Sequence, residues 1–446
     1  MNSLIRYIFL TLILFLLSVI SVLSQEVYSL ADCIEIAVNN NISVDKAKLA
    51  VESRLLDVKG QRNERLPNLN GFANVYSNFG QSQDIFGNNA RNDNFNSTLG
   101  LSSSYSILNN GRIKNYIRKS EREWEASAQD LEFLKREITV KTIQAYLNVL
   151  LQKEICNSVD TALAFAKNQF EKVQKSNEHG ATSLSVLYEA KANYEREFEK
   201  NRQAHYAIEK AMLDLKQIMS MEQKIEFEIK SDLNALTSFK ESAFSENELY
   251  ESFSNRNPNL KKYRLLNEAF IFDQKAIKSQ FYPNIDLSLT LGSFYFNNLT
   301  TGMGKIPLFN QLQNNFSQQV GLTINVPIFN KNSIKLAVQR SKIQQADNAK
   351  QLELEQLSIK QDIEKQILDM ENFKKQYKLT ANVLDVTRNA FDLSLKSYAA
   401  GRISIYDLNN SRSNLLTVES ELIQSKYNVI FSQVLIHYLS TGELIL

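Results

Sequence analysis

Phe316-Ser317-Gln318-Gln319-Val320-Gly321-Leu322-Thr323-Ile324-Asn325-Val326-Pro327-Ile328 alternates along its whole length. Phe316, Val320, Leu322, Ile324, Val326 and Ile328 share one face with Gln318, while the other face is Ser, Gln, Gly, Thr, Asn and Pro without a charge. A period of two predicts a strand, and a segment of this length can cross a bilayer when tilted. Its uncharged polar face suits a wet lumen better than open solvent. Directly behind it, residues 331–398 contain neither Gly nor Pro. At 1.5 Å per residue that run predicts one helix roughly 100 Å long, where globular helices average three turns.

The same arrangement occurs a second time. The 446 residues include 13 Gly and 5 Pro, against roughly 50 of the two at average usage. Thirteen of these 18 fall in the windows 67–111 and 283–327, and residues 112–177 are again free of both. Ser29 to Asn41 aligns with Ser245 to Asn257, and Pro67-Asn68 with Pro283-Asn284, at an offset of 216. Beyond the strands Gly100 and Gly321, Asn109 and Asn330, Gly180 and Gly401, Leu187 and Leu408 align at 221. Two copies of one unit follow, 25–240 and 241–446. Each should run helix, strand, loop, strand, very long helix, shorter helix, with strand hairpins at 67–108 and 283–329 and helical hairpins at 112–221 and 331–441. The five extra residues of the second copy lie between its strands and mark an exposed loop.

The remaining strands are read the same way, each 11 to 13 residues long. Ile285, Leu287, Leu289, Leu291 and Tyr295 alternate with Asn284, Asp286, Ser288 and Thr290; Phe95, Leu99, Leu101, Tyr105 and Ile107 alternate with Asn96, Thr98, Gly100 and serines. Leu69 to Phe79 alternates least clearly. Aromatics gather at strand ends, Tyr76, Phe79 and Phe95 on one hairpin and Phe294, Tyr295, Phe296 and Phe316 on the other, as an interfacial girdle requires. A soluble half-buried sheet would share the alternation but not the almost uncharged polar faces. Four strands cannot close a membrane barrel, whose minimum is about eight, and open edges are not tolerated in hydrocarbon. Several copies must then share one barrel.

Residues 1–24 read as a cleaved signal peptide, with Arg6, an apolar run from Tyr7 to Ile20, and Val22-Leu23-Ser24 at the cleavage point. The run is short for the alternative, a spanning anchor of about 20 apolar residues. Lys and Arg number 51 against 49 Asp and Glu, for a net charge of +2, which argues against a nucleic-acid partner. Two cysteines, Cys33 and Cys156, can form neither a disulfide framework nor a four-cysteine zinc site. His179, His205 and His437 are scattered, with no metal-binding spacing to a Glu or Cys. No phosphate loop follows a strand and no nucleophile elbow occurs. The sequence indicates no enzyme, no metal and no cofactor.

Along 331–398, Met370, Phe373, Tyr377, Thr380, Leu384, Thr387, Phe391 and Tyr398 form a heptad-like seam. A second, Leu379, Val383, Val386, Ala390 and Leu393, runs beside it. Two seams let one helix touch neighbours on both sides, as in a closed tube; the alternative is one broad core stripe. Each long helix ends at a matching reversal, Asn177 to Ser183 and Tyr398 to Ser404. Gly180 and Gly401 suit the left-handed position that stops a helix, and Ser404 with Asp407 resembles a capping box. The reversals then lie roughly 100 Å of helix away from the strands.

With the signal peptide, the duplication, two strands per copy, the helical hairpins and the segment Gly401 to Leu408 in place, the chain resembles the TolC-type outer-membrane efflux protein family over essentially its whole mature length. The resemblance implies a mainly α protein with membrane β: a homotrimer whose 12-stranded β-barrel, embedded in outer-membrane lipid, continues into a periplasmic α-helical tunnel. It implies a passive exit duct in a Gram-negative outer membrane for small molecules or polypeptides. Its partners would be a periplasmic adaptor, docking at the tips Gly180, Ala181, Thr182, Gly401, Arg402 and Ile403, and an inner-membrane pump or ABC exporter of a type I secretion system. Asp407 matches the first of two acidic positions that ring the entrance in the family; the second is Asn410, which leaves that ring uncharged. In the first copy Val186, preceded by Ser185, stands where an acid can occur, and Ile403 stands where an arginine is frequent, beside Arg402. Tyr398 matches an aromatic of the closing network. Asp407 can serve as gate, as helix cap, or as both. A non-conducting coiled-coil spacer of the cell envelope is the alternative function.

Overall fold

The computed structural model describes residues 26–83, 87–222, 227–230, 246–300 and 306–442. The expected signal peptide, 1–24, lies outside them. The long helices α3 (Arg112–Glu178) and α8 (Ser333–Ala399) are single elements of 67 residues each. Neither run contains Pro, which lacks the backbone N–H, or Gly, which weakens a helix interior, so the hydrogen-bond ladder is continuous. Their return helices are α4 (Leu184–Ile218) and α9 (Ile405–Thr441).

The helix that opens each copy is two helices. In the first copy α1 (Leu30–Asn40) is followed by α2 (Ile42–Asn63), and in the second α5 (Glu246–Arg256) by α6 (Pro258–Lys278). Asn41 is extended at the end of α1, and its side-chain carbonyl accepts the Ser43 N–H at 2.9 Å, capping the next helix. In the second copy Pro258 does the equivalent work: it cannot continue a helix but is well suited to start one.

The chain forms two compact units, and each copy supplies segments to both. One contains residues 49–129 and 259–354. Its antiparallel sheet has the order β2-β5-β7-β8, from β2 (Asn70–Asn78), β5 (Asn94–Leu108), β7 (Asn284–Asn298) and β8 (Ser317–Asn325). The central strands have 15 residues and the outer ones 9, instead of the uniform 11 to 13 that alternation implies. β5 and β7 pair with each other over nearly their whole lengths, whereas β2 and β8 each pair along only nine residues. Short strands β3 (Gln81–Gln83) and β4 (Asn89–Arg91) extend the first hairpin, whereas helix α7 (Leu308–Asn314) occupies the longer connection of the second.

Register makes the apolar face continuous: Leu101 faces Leu291, Tyr105 faces Leu287, and Val320, Leu322 and Ile324 face Leu289, Leu287 and Ile285. The same register puts Gly71, Ala73, Val75 and Ser77 of β2 on that face, and Phe72 on the polar one. Phe72 lies across two paired glycines, Gly100 and Gly292, so close that a Cβ on Gly100 would stand 2.8 Å from its ring and 2.4 Å from the Leu291 carbonyl oxygen. Below the sheet, Asp273 of α6 accepts from Lys119 of α3 at 2.9 Å and from Ser341 of α8 at 2.7 Å, holding three helices with one carboxylate.

The other unit contains the described residues up to 48, 130–258 and 355 onward. Its core joins Cys33 and Ala37 of α1, Ile143, Leu147 and Leu150 of α3, Leu215 of α4, and Tyr427, Ile430 and Val434 of α9. A parallel strand pair, β1 (Glu26–Tyr28) with β6 (Phe227–Ile229), packs on it, and Tyr146 donates its hydroxyl to the Lys230 carbonyl at 2.5 Å. The two seams of α8 differ in environment. In the first, Met370, Phe373, Leu384, Phe391 and Tyr398 are wholly or partly covered and Tyr377 is 40% exposed, whereas Leu379, Val383, Val386, Ala390 and Leu393 of the second are all exposed, Val386 at 68%.

Candidate functional site

The two helix reversals lie in the same unit and are built alike. At the first, Gly180 has φ 73°; its N–H bonds to the Asn177 carbonyl at 2.8 Å, and the next N–H, of Ala181, reaches back to Ser176 at 2.9 Å. At the second, Gly401 has φ 70°, with Gly401 N–H to Tyr398 at 2.9 Å and Arg402 N–H to Ser397 at 2.8 Å. Both are Schellman closures, in which the left-handed glycine turns the chain while two helix-end carbonyls keep partners.

The helices that leave the reversals start differently. Ser404 and Asp407 form the reciprocal box at the head of α9. At the head of α4, Ser183 caps the Val186 N–H at 3.4 Å, and Val186 has no group to return the bond. The first reversal is braced from inside instead: Asn177 donates its amide to the Thr182 carbonyl at 2.6 Å, and the Ser176 and Thr182 hydroxyls are bonded.

Beneath the reversals four helices meet. Val173 of α3, Ala190 of α4 and Ile405 of α9 pack with Phe170, Leu187 and Tyr398; Phe391 of α8, Leu408 and Leu415 pack with Phe165, Leu384 and again Tyr398. Tyr398 bridges both clusters, and burial pushes its hydroxyl above the ordinary value of 10. Phe165 and Phe391 meet edge to face at 5.6 Å, with the Arg412 guanidinium 5.6 Å over the Phe391 ring. Apolar burial of this kind fixes the tips relative to one another without needing ion pairs.

Apart from Tyr398, the residues singled out in the sequence fall on the outside of this core. Ser185, Asp407 and Asn410 are exposed, as are Gly180, Ala181, Gly401 and Arg402; Thr182 and Ile403 are half-buried. Asp407 uses Oδ2 for the Ser404 hydroxyl and N–H, and among the described residues it forms no ion pair. Three large apolar side chains that sequence reading passed over stand exposed beside the tips: Leu184, Tyr188 and Tyr406. Leu184 aligns with Ile405, which is buried, so their shared apolar character could not tell which one packs.

Comparison with known proteins follows the same geometry. The profile of the family described as outer membrane efflux protein matches residues 33–220 and again 249–436. The chain is 21% identical over 340 residues to the probable efflux pump outer membrane protein TtgC of Pseudomonas putida, covering 76% of this chain and 67% of that one. It is 21% identical, over the same shares, to the antibiotic efflux pump outer membrane protein ArpC of that species. Among solved structures, the Campylobacter jejuni CmeC outer membrane channel superposes with a TM-score of 0.77 at 18% identity, over 93% of this chain and 86% of that one. VceC of Vibrio cholerae superposes with a TM-score of 0.73 at 16% identity, over 92% and 96%.

Proposed function

The chain belongs to the outer membrane efflux protein family, and from that premise we propose that three copies assemble into a passive duct. It is an outer-membrane efflux channel and not an enzyme. In the proposed trimer each chain gives its four strands to a 12-stranded barrel and its helical hairpins to a periplasmic tunnel. The observation that carries this reading is the sheet β2-β5-β7-β8: its outer strands each have one neighbour among the described residues, and Val320, Leu322 and Ile324 of β8 are exposed. Such edges are untenable in lipid until another copy pairs with them. The bare seam Leu379, Val383, Val386 and Leu393 supports the same assembly from the helical side, as a surface for a neighbouring copy.

We assign the exposed tips to a periplasmic adaptor, with Leu184, Tyr188 and Tyr406 adding apolar area around Gly180, Ala181, Thr182, Gly401, Arg402 and Ile403. An inner-membrane pump supplies the energy. Asp407, in three copies, forms a ring at the entrance with Asn410 beside it, and Tyr398 sets the position of that ring by packing beneath it. Ser185 is the equivalent surface on the first hairpin. A relative named for antibiotic efflux favours small molecules over polypeptides as cargo.

The test is the size and conductance of the purified mature chain. A trimer in detergent that opens discrete, cation-preferring steps in a planar bilayer is the expected result. A monomer in detergent, or a trimer that leaves the bilayer insulating, would exclude the duct and leave a structural spacer.

A further inference from the structure

Cys156 and Asp160 stand one turn apart on α3, and Asn201 and His205 one turn apart on α4. A spacing of four puts each pair on one helix face, and the structure brings the two faces together. His205 Nε2 lies 3.6 Å from Asp160 Oδ1, Cys156 Sγ lies 4.0 Å from Asp160 Oδ2, and the three donor atoms are all within 4.8 Å of one another. Asn201 donates its amide to Asp160 Oδ1. Among the described residues no other group of three His, Cys, Asp or Glu gathers in this way.

We infer that Cys156, Asp160 and His205 form a binding site for a borderline-soft divalent cation of the zinc class. One sulfur, one imidazole nitrogen and one carboxylate oxygen make a tetrahedral donor set with the fourth position open to water. Calcium and magnesium would want oxygen throughout. In an ideal tetrahedron with metal–sulfur near 2.3 Å and metal–nitrogen or metal–oxygen near 2.0 Å, donors lie about 3.3–3.5 Å apart. His205 Nε2 stands 3.6 Å from Asp160 Oδ1 and Cys156 Sγ 4.0 Å from the other oxygen, Oδ2, so a turn of the carboxylate is needed to present one oxygen to both, within a set whose donors already lie within 4.8 Å. His205 is more than half exposed, so its ring is free to turn and close the remaining distance to Cys156. Asn201 is the outer partner that fixes the carboxylate. Burial and the neighbouring Asp160 raise the Cys156 thiol above its ordinary value; the cation replaces the thiol proton, which passes to water. A bound ion would clip α3 to α4 within the first helical hairpin.

The probe is Co(II), titrated into the metal-free, full-length mature protein in detergent. One ion per chain should bind, with a thiolate-to-metal charge-transfer band and tetrahedral d–d bands that Zn(II) abolishes by competition. Cys156→Ser should lose the charge-transfer band. His205→Ala, at an exposed position whose loss leaves the fold intact by circular dichroism, should weaken binding about tenfold or more, and Asn201→Ala about tenfold. No charge-transfer band at saturating Co(II), a band that survives Cys156→Ser, or unaltered affinity in His205→Ala would each overturn the assignment.

Discussion

Ser404 and Asp407 cap one another: the Ser404 hydroxyl accepts the Asp407 N–H at 3.1 Å while Asp407 Oδ2 accepts the Ser404 N–H at 3.1 Å and its hydroxyl at 2.7 Å. The carboxylate proposed to ring the entrance therefore already serves the start of α9, and the two roles separate by substitution. Asp407→Ala should cost about 1 kcal/mol from the lost cap and reduce cation preference in single-channel recordings. Asp407→Asn keeps an acceptor toward Ser404, so it should reduce cation preference while leaving thermal stability nearly unchanged. Unchanged selectivity in both variants would leave the cap as the only role.

Gly401 has open space around its α-carbon but a φ of 70°, so its constraint is purely of the backbone. Gly401→Ala should lower stability by roughly 1–2 kcal/mol. Gly60, within α2 and equally unobstructed, should respond in the opposite direction, Gly60→Ala gaining about 0.5–1 kcal/mol. Thermal unfolding of the two variants in detergent compares them directly, and shifts of the same sign would contradict the backbone argument.

Gly100 is constrained by contact. An added methyl would meet the Leu291 carbonyl at 2.4 Å and the Cα of Gly292 at 2.9 Å, and backbone cannot step aside. Gly100→Ala should cost about 1–3 kcal/mol through overpacking and reduce the yield of folded trimer. Gly71→Ala, whose nearest neighbour is the end of Leu101 at 3.7 Å, should assemble like the unaltered protein on a native gel.

The bare seam on α8 predicts the assembly phenotype. Val386 and Leu393 are 68% and 65% exposed, so the double change Val386→Glu, Leu393→Glu should leave the helical content intact while converting the detergent trimer to smaller species by light scattering. A trimer that tolerates both charges would place the subunit contact elsewhere.

Cys33 gives a pH dependence. Burial, with Asp32 adjacent, pushes its thiol from the ordinary 9 up to about 12. Between these values the unfolded chain has lost a proton that the folded chain keeps, so stability is unaffected below pH 9 and falls as pH rises toward 12. Cys33→Ala should flatten that decline in alkaline denaturation. In the native protein at pH 8, alkylation of Cys33 should be slow, and unfolding in urea should make it fast.

Much of this was legible in one dimension because it depends on local rules. Alternation from Phe316 to Ile328 and from Asn284 to Tyr295 marks strands, since side chains on an extended backbone point to opposite faces in turn. The runs 112–177 and 331–398 mark long helices because nothing in them breaks the ladder, and Gly180, Gly401, Ser404 and Asp407 mark where those helices stop and restart. Asn41, closing the run Asn39-Asn40-Asn41, and Pro258, after Asn257, are local turn signals of the same kind, and each divides the opening helix of its copy.

The rest depended on which surfaces meet, and periodicity carries no address. The two seams of α8 have similar composition, but only packing against Phe165 and Leu408 decided that Phe391 is covered while Val386 is left bare. Leu69 to Phe79 alternates least clearly, and only register set Phe72 across Gly100 and Gly292. Cys156 and His205 are separated by 49 residues, so only the antiparallel return of α4 along α3 brought them within reach. The sequence by itself determined the long helices, the main strands, the duplication and the helix reversals, because these follow from the conformational preferences of neighbouring residues. Partnership between distant faces was decided by tertiary structure alone, because burial and shape are properties of two surfaces together.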